Sequence, residues 1–296
     1  MLLPDHIKYI PAADPSFPAL LRQIGSPPQG LFFRGVLNDL PAISIVGTRR
    51  NTSYGRRCIE EIVPDLVAAG FSIISGLALG IDGLVHRAVL RAGGKTIAIL
   101  GTGIDEKAIY PRAHVNLAHE IIHSGGAIVS EFPAGTGSRK EHFPIRNRLI
   151  AGWSLATLVI EADMDSGSLI TAKQALEANR EVLAVPGPIW SDVSRGCNKL
   201  ISAGARVCMS ANDVLESLEI DRPDLVSQAR ALLPLTSDES RILDLLSEPH
   251  HVDDIIVKTG LDAGSVGAKL TVLEVKGYIA QLGGQIWGRS HGRLRK

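Results

Sequence analysis

Cysteine is scarce in this sequence: Cys58, Cys197 and Cys208 are the only three in 296 residues. Their odd number and wide spacing give no CxxC pair and no metal-ligand pattern. That excludes a disulfide framework and a zinc module, and it fits a reducing, cytoplasmic compartment. Aromatic residues are few, at 4%, so each one beside a polar loop gains interest. Excess charge is absent too: 31 Lys and Arg balance 31 Asp and Glu. Neutrality argues against a wholly basic nucleic-acid coat. It leaves room for a local cationic groove, because binding responds to the local field. No apolar run reaches membrane-spanning length. Pro, Asp and His interrupt MLLPDHIKYIPAADPSF, which excludes a signal peptide. There is no internal repeat.

What is present is a regular alternation. Residues 1–40 are Pro-rich and irregular, with a short apolar stretch at 31–33, and are expected to form an extension packing on the core. From Pro41 onward AISIV (42–46), FSIIS (71–75), TIAIL (96–100), AIVS (127–130), TLVIE (157–161) and VLAV (182–185) are short, apolar and β-branched. They predict strands buried on both faces. Helical segments are predicted between them at 56–69, 83–91, 115–123, 145–153 and 170–179. Strand and helix in alternation imply an α/β domain over 41–218 with a mainly parallel, doubly wound sheet. Ligands of such sheets bind outside the carboxyl ends of the strands. Residues 219–233 read as a linker. Over 234–290, a capping-box spacing at Thr236–Glu239, three short helices (241–246, 252–259, 265–276) and a hairpin signal around Gly283–Gly284 predict a small winged helix-turn-helix domain. Residues 291–296 close the chain as a basic tail.

Several motifs mislead. RAGGKT (91–96) lacks the first glycine of a triphosphate loop and precedes a strand instead of following one. GTGIDE (101–106) lacks the third glycine of a dinucleotide fingerprint. His114, His119 and His123 are spaced to share a helix face, but without a third ligand they read as a solvated face, not a metal site. Neither a metal nor a cofactor is expected.

Three strand-to-helix loops are different: Gly47–Arg50, Ser75–Asp82 and Asp165–Thr171 are rich in Gly, Ser and Thr. Glycine lets backbone approach an anion, and successive N–H groups at a helix N-terminus favour negative charge. Three such loops at one sheet edge point to a phosphate site. A further segment, HFPIRNRLIAG (142–152), predicts a helix starting near Pro144, with Ile145, Leu149, Ile150 and Trp153 on one apolar stripe. Arg146 falls within that stripe and Arg148 roughly 200° away, so the two cannot grip one phosphate. Arg146 needs an anionic partner, either a structural acid such as Glu131 or Asp82 or a ligand phosphate. Arg148 is expected at the surface or at an interface. Arg139, Lys140 and Phe143 add two cations and an aromatic, the minimal unit for gripping a single strand. The alternative is Phe143 as a core plug and Lys140 as solvated charge.

Taken together, IVGTRRNTSYG (45–55), SGLALGIDGLVH (75–86), ILGTGIDEKAIYP (99–111), SEFPAGT (130–136), HFPIRNRLIAG (142–152), the run 159–187 and GCNKLISAGA (196–205) resemble the DprA/Smf family, the DNA-processing proteins of bacterial natural transformation. The opening segment 14–35 resembles it as well, and the likeness spans roughly 14–215. It implies an extended Rossmann-like domain followed by a winged helix, homodimerisation, protection of incoming single-stranded DNA and loading of the RecA recombinase, without catalysis. Position by position, it implies a phosphate pocket of Gly47, Arg49, Gly76, Ser166, Gly167 and Ser168. It implies that Lys140 and Phe143 contact the strand, and it matches Arg146, Asn147 and Arg148 to the family's RNR motif. Arg146 stays open between pocket scaffold and direct contact. Residues 1–13 are too short for the helical SAM-like domain of some members, so interactions that depend on it are not expected.

Two rival functions each lack a residue they need. A phosphoribohydrolase-like enzyme needs a carboxylate where Gln174 stands. A winged-helix regulator with a nucleotide-sensing domain needs a cationic recognition helix, but 262–277 offers only Lys269 and Lys276 beside Glu274, with Arg289, Arg293, Arg295 and Lys296 in wing and tail to supplement them.

Overall fold

The computed structural model describes residues 7–219, 237–275 and 278–289. The linker expected at 219–233, Thr236, Lys276 and the basic tail fall wholly or almost wholly outside them. The chain divides into two compact units, residues 1–221 and 222–296.

All six expected strands of the large unit are present: β3 (Ala42–Val46), β4 (Ser72–Ser75), β5 (Thr96–Leu100), β6 (Ala127–Ser130), β7 (Ala156–Val159) and β8 (Glu181–Ala184). Their side chains alternate between two cores. In β5, Ile97 and Ile99 face one cluster with Leu149, Ile150 and Ala172, while Ala98 and Leu100 face another with Leu117 and Ile121. Burial on both faces is why these segments read as unbroken apolar runs. Residues 1–40, read as irregular, need correction. β1 (Lys8–Pro11) and β2 (Gly30–Gly35) pair antiparallel with each other, and β2 pairs antiparallel with β6. The extension is thus part of the sheet. With β9 (Arg206–Val207) the order is β1-β2-β6-β5-β4-β3-β7-β8-β9, parallel from β6 to β9.

Five expected helices appear as α1 (Ser53–Ala68), α2 (Ile81–Arg91), α3 (Val115–His123), α4 (His142–Gly152) and α5 (Gly167–Glu177). Two more were not foreseen. α6 (Asp192–Ser202) carries Gly, Asn and Ser in its interior, poor helix formers. Gly196 is needed there, since a Cβ would meet the Ala162 carbonyl oxygen at 2.7 Å. α7 (Ala211–Ser217) opens on Ser210, whose N–H donates to the Asp213 carboxylate at 2.8 Å.

The chain runs outward from β3 through β4 and β5 to β6, then returns to lay β7 against the other side of β3. This reversal is a topological switch point, where the loops after β3 and β7 diverge and leave a crevice.

The small unit is three helices and a small sheet: α8 (Ser237–Leu245), β10 (His250–His251), α9 (Val252–Thr259), α10 (Ala263–Val275), β11 (Ile279–Gly283) and β12 (Ile286–Arg289). Ile242, Ile255, Val266, Leu270 and Leu273 form its core. The hairpin closes on Gly284 and Gln285, both with positive φ (58° and 63°), as a type I′ turn requires. α10 was expected to expose Lys269, but its ammonium is half-buried and paired with Asp238 at 3.2 Å.

His86 of α2 is fully buried. The Thr96 hydroxyl donates to the Ile73 carbonyl (2.7 Å), so it accepts from His86 Nδ1 (2.8 Å) and leaves Nε2 bare. Burial, with His114 and Arg146 adding repulsion, pushes the imidazole down to about 3. The unfolded chain takes up a proton below about pH 6.5 that the folded chain refuses, so this contribution is whole above that pH and is lost as pH falls towards 3. His86→Gln, which keeps a donor for Thr96, is expected to lose about 2 kcal/mol less than wild type between about pH 7 and pH 5, read from urea midpoints. Parallel pH profiles for the two proteins would refute the assignment.

Candidate functional site

A cleft of about 530 Å³ opens at the switch point, lined by loops after β3, β4 and β7 and by the start of α4. Gly47, Arg49, Phe143, Arg146, Asn147, Ser166, Gly167 and Ser168 all contribute to it. Gly76 lines an adjoining slot that shares Arg49, Ala78 and Phe143. Lys140 is exposed on the turn before α4 and is not among the lining residues of either.

Each element is placed by identifiable bonds. α1 starts at Thr52, whose hydroxyl oxygen accepts from the N–H groups of Tyr54 (3.1 Å) and Gly55 (3.4 Å). Thr52 is itself held by Glu161: its hydroxyl donates at 2.5 Å and its N–H at 2.9 Å. Glu161, buried at the end of the β7 segment, went unrecognised in the sequence because TLVIE reads as the end of a strand. Its backbone carbonyl also accepts from the Thr48 N–H at 2.7 Å. One residue therefore fixes the β3–α1 loop from across the switch point. α5 starts at Ser166, whose hydroxyl caps the Ser168 N–H (3.4 Å) and lies 2.7 Å from the Ser168 hydroxyl. α2 starts after Gly80, at φ 81°, a conformation that favours glycine. The N-termini of α2, α4 and α5 thus line the cleft walls, each bringing partial positive charge.

The glycines divide by role. A Cβ on Gly47 would meet Ile81 Cγ1 at 2.6 Å, and one on Gly76 would meet both Arg146 guanidinium nitrogens and Asp82 Oδ2 at 2.7 Å. These two permit close protein packing. Around Gly167, by contrast, a Cβ would meet nothing within 4 Å. Of the three, Gly167 leaves its backbone open to an incoming anion.

The structure resolves the role of Arg146. Its guanidinium is buried and donates to the carbonyls of Gly76 (2.7 Å) and Ile99, while Nε donates to Asn147 Oδ1 at 3.2 Å. The anionic partner is Asp82, buried nearby, with its carboxylate accepting from the N–H groups of Gly76 (3.1 Å) and Ala78 (3.3 Å). Burial raises the Asp82 carboxyl against the pull of Arg146. Burial also lowers Arg146 to about 10, against the pull of Asp82 and assisted by Arg49. Arg146 is therefore a brace tying α4 to the ends of β4 and β5. Asn147 extends the brace to α5, donating to the Gly167 carbonyl at 3.3 Å.

Arg148, expected at the surface or an interface, is instead half-buried; it pairs with Glu131 and donates to the Ser26 carbonyl at 2.7 Å. Ile145, expected on the apolar stripe, is exposed, at the first turn of α4, which begins at His142. The histidine face also dissolves. His114 lies before α3, buried, with Nδ1 donating to the Leu77 carbonyl at 2.8 Å. His119 contacts Glu106 at 2.9 Å. Among the described residues no cluster of three or more His, Cys, Asp or Glu is placed to hold a metal ion.

Phe143 is half-buried in the first turn of α4, at the cleft wall. The Arg49 guanidinium lies 5.5 Å from its ring centroid and that of Arg146 6.0 Å. Arg49 and Arg50 are exposed on the β3 side of the cleft, and Asp163 and Asp165 are exposed on the β7 side. A mobile cation beside a partly exposed aromatic face, near capped helix N-termini, is equipped to hold a phosphate and the flat face of a base together.

The family model of the DNA recombination-mediator protein A matches residues 8–219. The chain belongs to this family. The DprA winged helix domain model matches residues 226–285. Protein Smf of Synechocystis is 38% identical over 95% of this chain and 80% of its own length. The DNA processing protein DprA of Bacillus subtilis is 42% identical over 72% of this chain and 71% of its own. The solved structure of DprA from Streptococcus pneumoniae is similar with a TM-score of 0.67 at 38% identity, covering 72% of this chain and 74% of that one. DprA from Helicobacter pylori, solved for its single-stranded DNA binding mode, gives 0.64 at 28% identity over 73% and 98%. The Rossmann-like sheet and winged helix described above are the fold of this DNA-processing family. Among the described residues no helix is long and apolar enough to cross a membrane.

Removing the brace should be costly. Arg146→Ala leaves Asp82 buried without its cation and two strand-end carbonyls without a donor, so a loss of about 3–5 kcal/mol in urea unfolding is expected. Arg146→Lys should recover only part, since one ammonium cannot span the same fork of acceptors. A loss below about 1 kcal/mol for the alanine variant would remove Arg146 from the role of brace.

Proposed function

We propose that this chain binds single-stranded DNA along the carboxyl edge of its large sheet, shields it, and delivers it to the RecA recombinase during natural transformation. It acts as a cytoplasmic homodimer and catalyses no reaction. The observation that carries this reading is the convergence of Arg49 and Phe143 on one cleft bounded by the N-termini of α2, α4 and α5. The single-strand binding described for the Helicobacter pylori relative supports it.

In this reading Arg49 and the open backbone at Gly167, with Ser166 and Ser168 framing the α5 N-terminus, seat phosphate. Phe143 stacks on a base, and Lys140 adds charge from the turn outside the cleft. Gly47 and Gly76 shape the walls. Arg146 and Asn147 hold the walls together and act on DNA only through the elements they position. Stacking accepts any base, so recognition is independent of sequence. A symmetric dimer would place two such grooves on one particle and bring two strands together.

Two features speak against the rivals. Gln174, which stands where a phosphoribohydrolase needs its acid, donates to the Pro144 carbonyl at 3.2 Å. Among the described residues of the winged helix, Lys269 is paired with Asp238, and Arg289 donates to the Leu243 carbonyl at 2.9 Å, so neither is a bare cation for a major-groove reader.

Fluorescence anisotropy with labelled single-stranded and duplex oligonucleotides of equal length tests the proposal. The wild type should prefer the single strand, and a folded Arg49→Ala/Lys140→Ala variant should lose that preference. Arg49→Ala alone should weaken binding and flatten the slope of log affinity against log salt by about 0.7, the signature of one phosphate contact on a single strand. Phe143→Ala should cost about 1–3 kcal/mol of binding. Equal or duplex-biased binding that survives the double substitution would move the activity to the winged helix and overturn this reading.

A further inference from the structure

Beside the main cleft lies a small slot lined by Arg49, Gly76, Ala78, Leu79, Tyr110, Pro111 and Phe143. Tyr110 and Leu79 are large apolar side chains left exposed on its rim, at 44% and 48%. Their surroundings are rigid. The Ala108 N–H donates to the Asp105 carbonyl at 3.0 Å, Ile109 is fully buried next to Tyr110, and Arg112 donates to the Glu106 carbonyl at 2.5 Å. On the other wall the backbone of Gly76 and Ala78 is clamped by Asp82. A stiff frame therefore presents an aromatic ring to solvent next to a free guanidinium. Tyrosine supplies such contact area with little conformational entropy to lose.

Tyr110 does not serve the same base as Phe143. Their ring centroids are 6.1 Å apart and the rings are tilted by 52°. A base clamped between parallel rings needs about 7 Å, two stacking gaps of roughly 3.5 Å each. The rings are too close and too inclined for that. Tyr110 borders the slot and not the main cleft, whereas Phe143 and Arg49 border both.

We infer that Tyr110, with Leu79 beside it, is a second stacking platform that takes the nucleobase adjacent to the one on Phe143, with Arg49 holding the phosphate that links them. This inference rests on the single-strand reading above and extends it from one base to two consecutive ones. The two rings then set the path of the strand across the ends of β4 and β5. Phenylalanine would serve at position 110, because the ring face and not the hydroxyl makes the contact.

The test uses the full chain and the shortest oligothymidylate that the wild type binds, which leaves no room to shift register, with one nucleotide at a time replaced by an abasic residue. Wild type should show two neighbouring positions where base removal weakens binding about tenfold, in line with the usual value of one stacked base. Tyr110→Ala should weaken binding to the intact oligonucleotide by a similar factor and erase the sensitivity at one of the two positions. Phe143→Ala should erase the other. Tyr110→Phe should match wild type. In a double-mutant cycle Tyr110→Ala should still weaken binding in the Phe143→Ala background, because the two rings act on different bases. If Tyr110 only braces Phe143, Tyr110→Ala will have no effect in the Phe143→Ala background and both variants will erase the same position; either result overturns the inference. Retention of both sensitive positions in Tyr110→Ala overturns it too. These outcomes leave the wider reading standing as long as Phe143→Ala and Arg49→Ala weaken single-strand binding. If those two have no effect, the wider reading fails as well.

Discussion

A charged guanidinium sits inside the large unit, and the edge of the sheet is organised around it. Arg146 reaches from α4 to the carbonyl of Gly76, which begins the loop after β4, and to the carbonyl of Ile99 in β5. Strand-end carbonyls at a parallel sheet's carboxyl edge have no partner in the ladder. Left dry, they would carry a desolvation cost, and a five-donor fork is the side chain best suited to meet several at once. Asp82 neutralises the fork while binding the amides on the other side of Gly76. Gly76 has no Cβ because one would collide with both partners. Arginine, aspartate and glycine therefore form a single unit spread over three segments of sequence.

That unit determines what the cleft can present. Because α4 is anchored at Arg146, Phe143 one turn earlier is held at the wall with part of its ring exposed. Because Asn147 ties α4 to the Gly167 carbonyl, the start of α5 is fixed opposite. Glu161 does the same for α1 through Thr52. The side chains left to meet a ligand, Arg49 above all, are exposed and long. A rigid scaffold made of buried charge thus carries a small set of adaptable groups, the arrangement expected when binding must not reorganise the protein.

The sheet was legible in the sequence because two-sided burial writes strands as uninterrupted β-branched runs, and the switch point follows from their order. The N-terminal strands were not. Lys8–Pro11 and Gly30–Gly35 lie at an antiparallel edge, contain proline and glycine, and show no apolar run of useful length. α6 was hidden by the small residues that let it approach the backbone of Ala162. At the site, the loops and Phe143 could be read directly, whereas the partners of Arg146 could not. Periodicity placed it on an apolar stripe and demanded an anion, but the choice between Asp82, Glu131 and a phosphate depends on contacts across the sheet. The answer gave Asp82 to Arg146 and Glu131 to Arg148. Glu161 had no local signal at all, since its importance lies in a bond to a loop 109 residues away.

Overall neutrality bears on function through its distribution. In the cleft, Arg146 and Asp82 oppose each other's charge inside the protein. What reaches solvent is an asymmetry, with Arg49 and Arg50 on the β3 side and Asp163 and Asp165 on the β7 side. Phosphates crossing this edge would be drawn to Arg49 and Arg50 and to the α5 N-terminus and kept off the carboxylates of Asp163 and Asp165 beside it, and within a Debye length of about 8 Å these effects survive physiological salt. A uniformly basic groove would hold a polyanion in any lateral position. A groove with cations on one lip and two carboxylates beside the α5 N-terminus on the other narrows the lateral positions a polyanion can take.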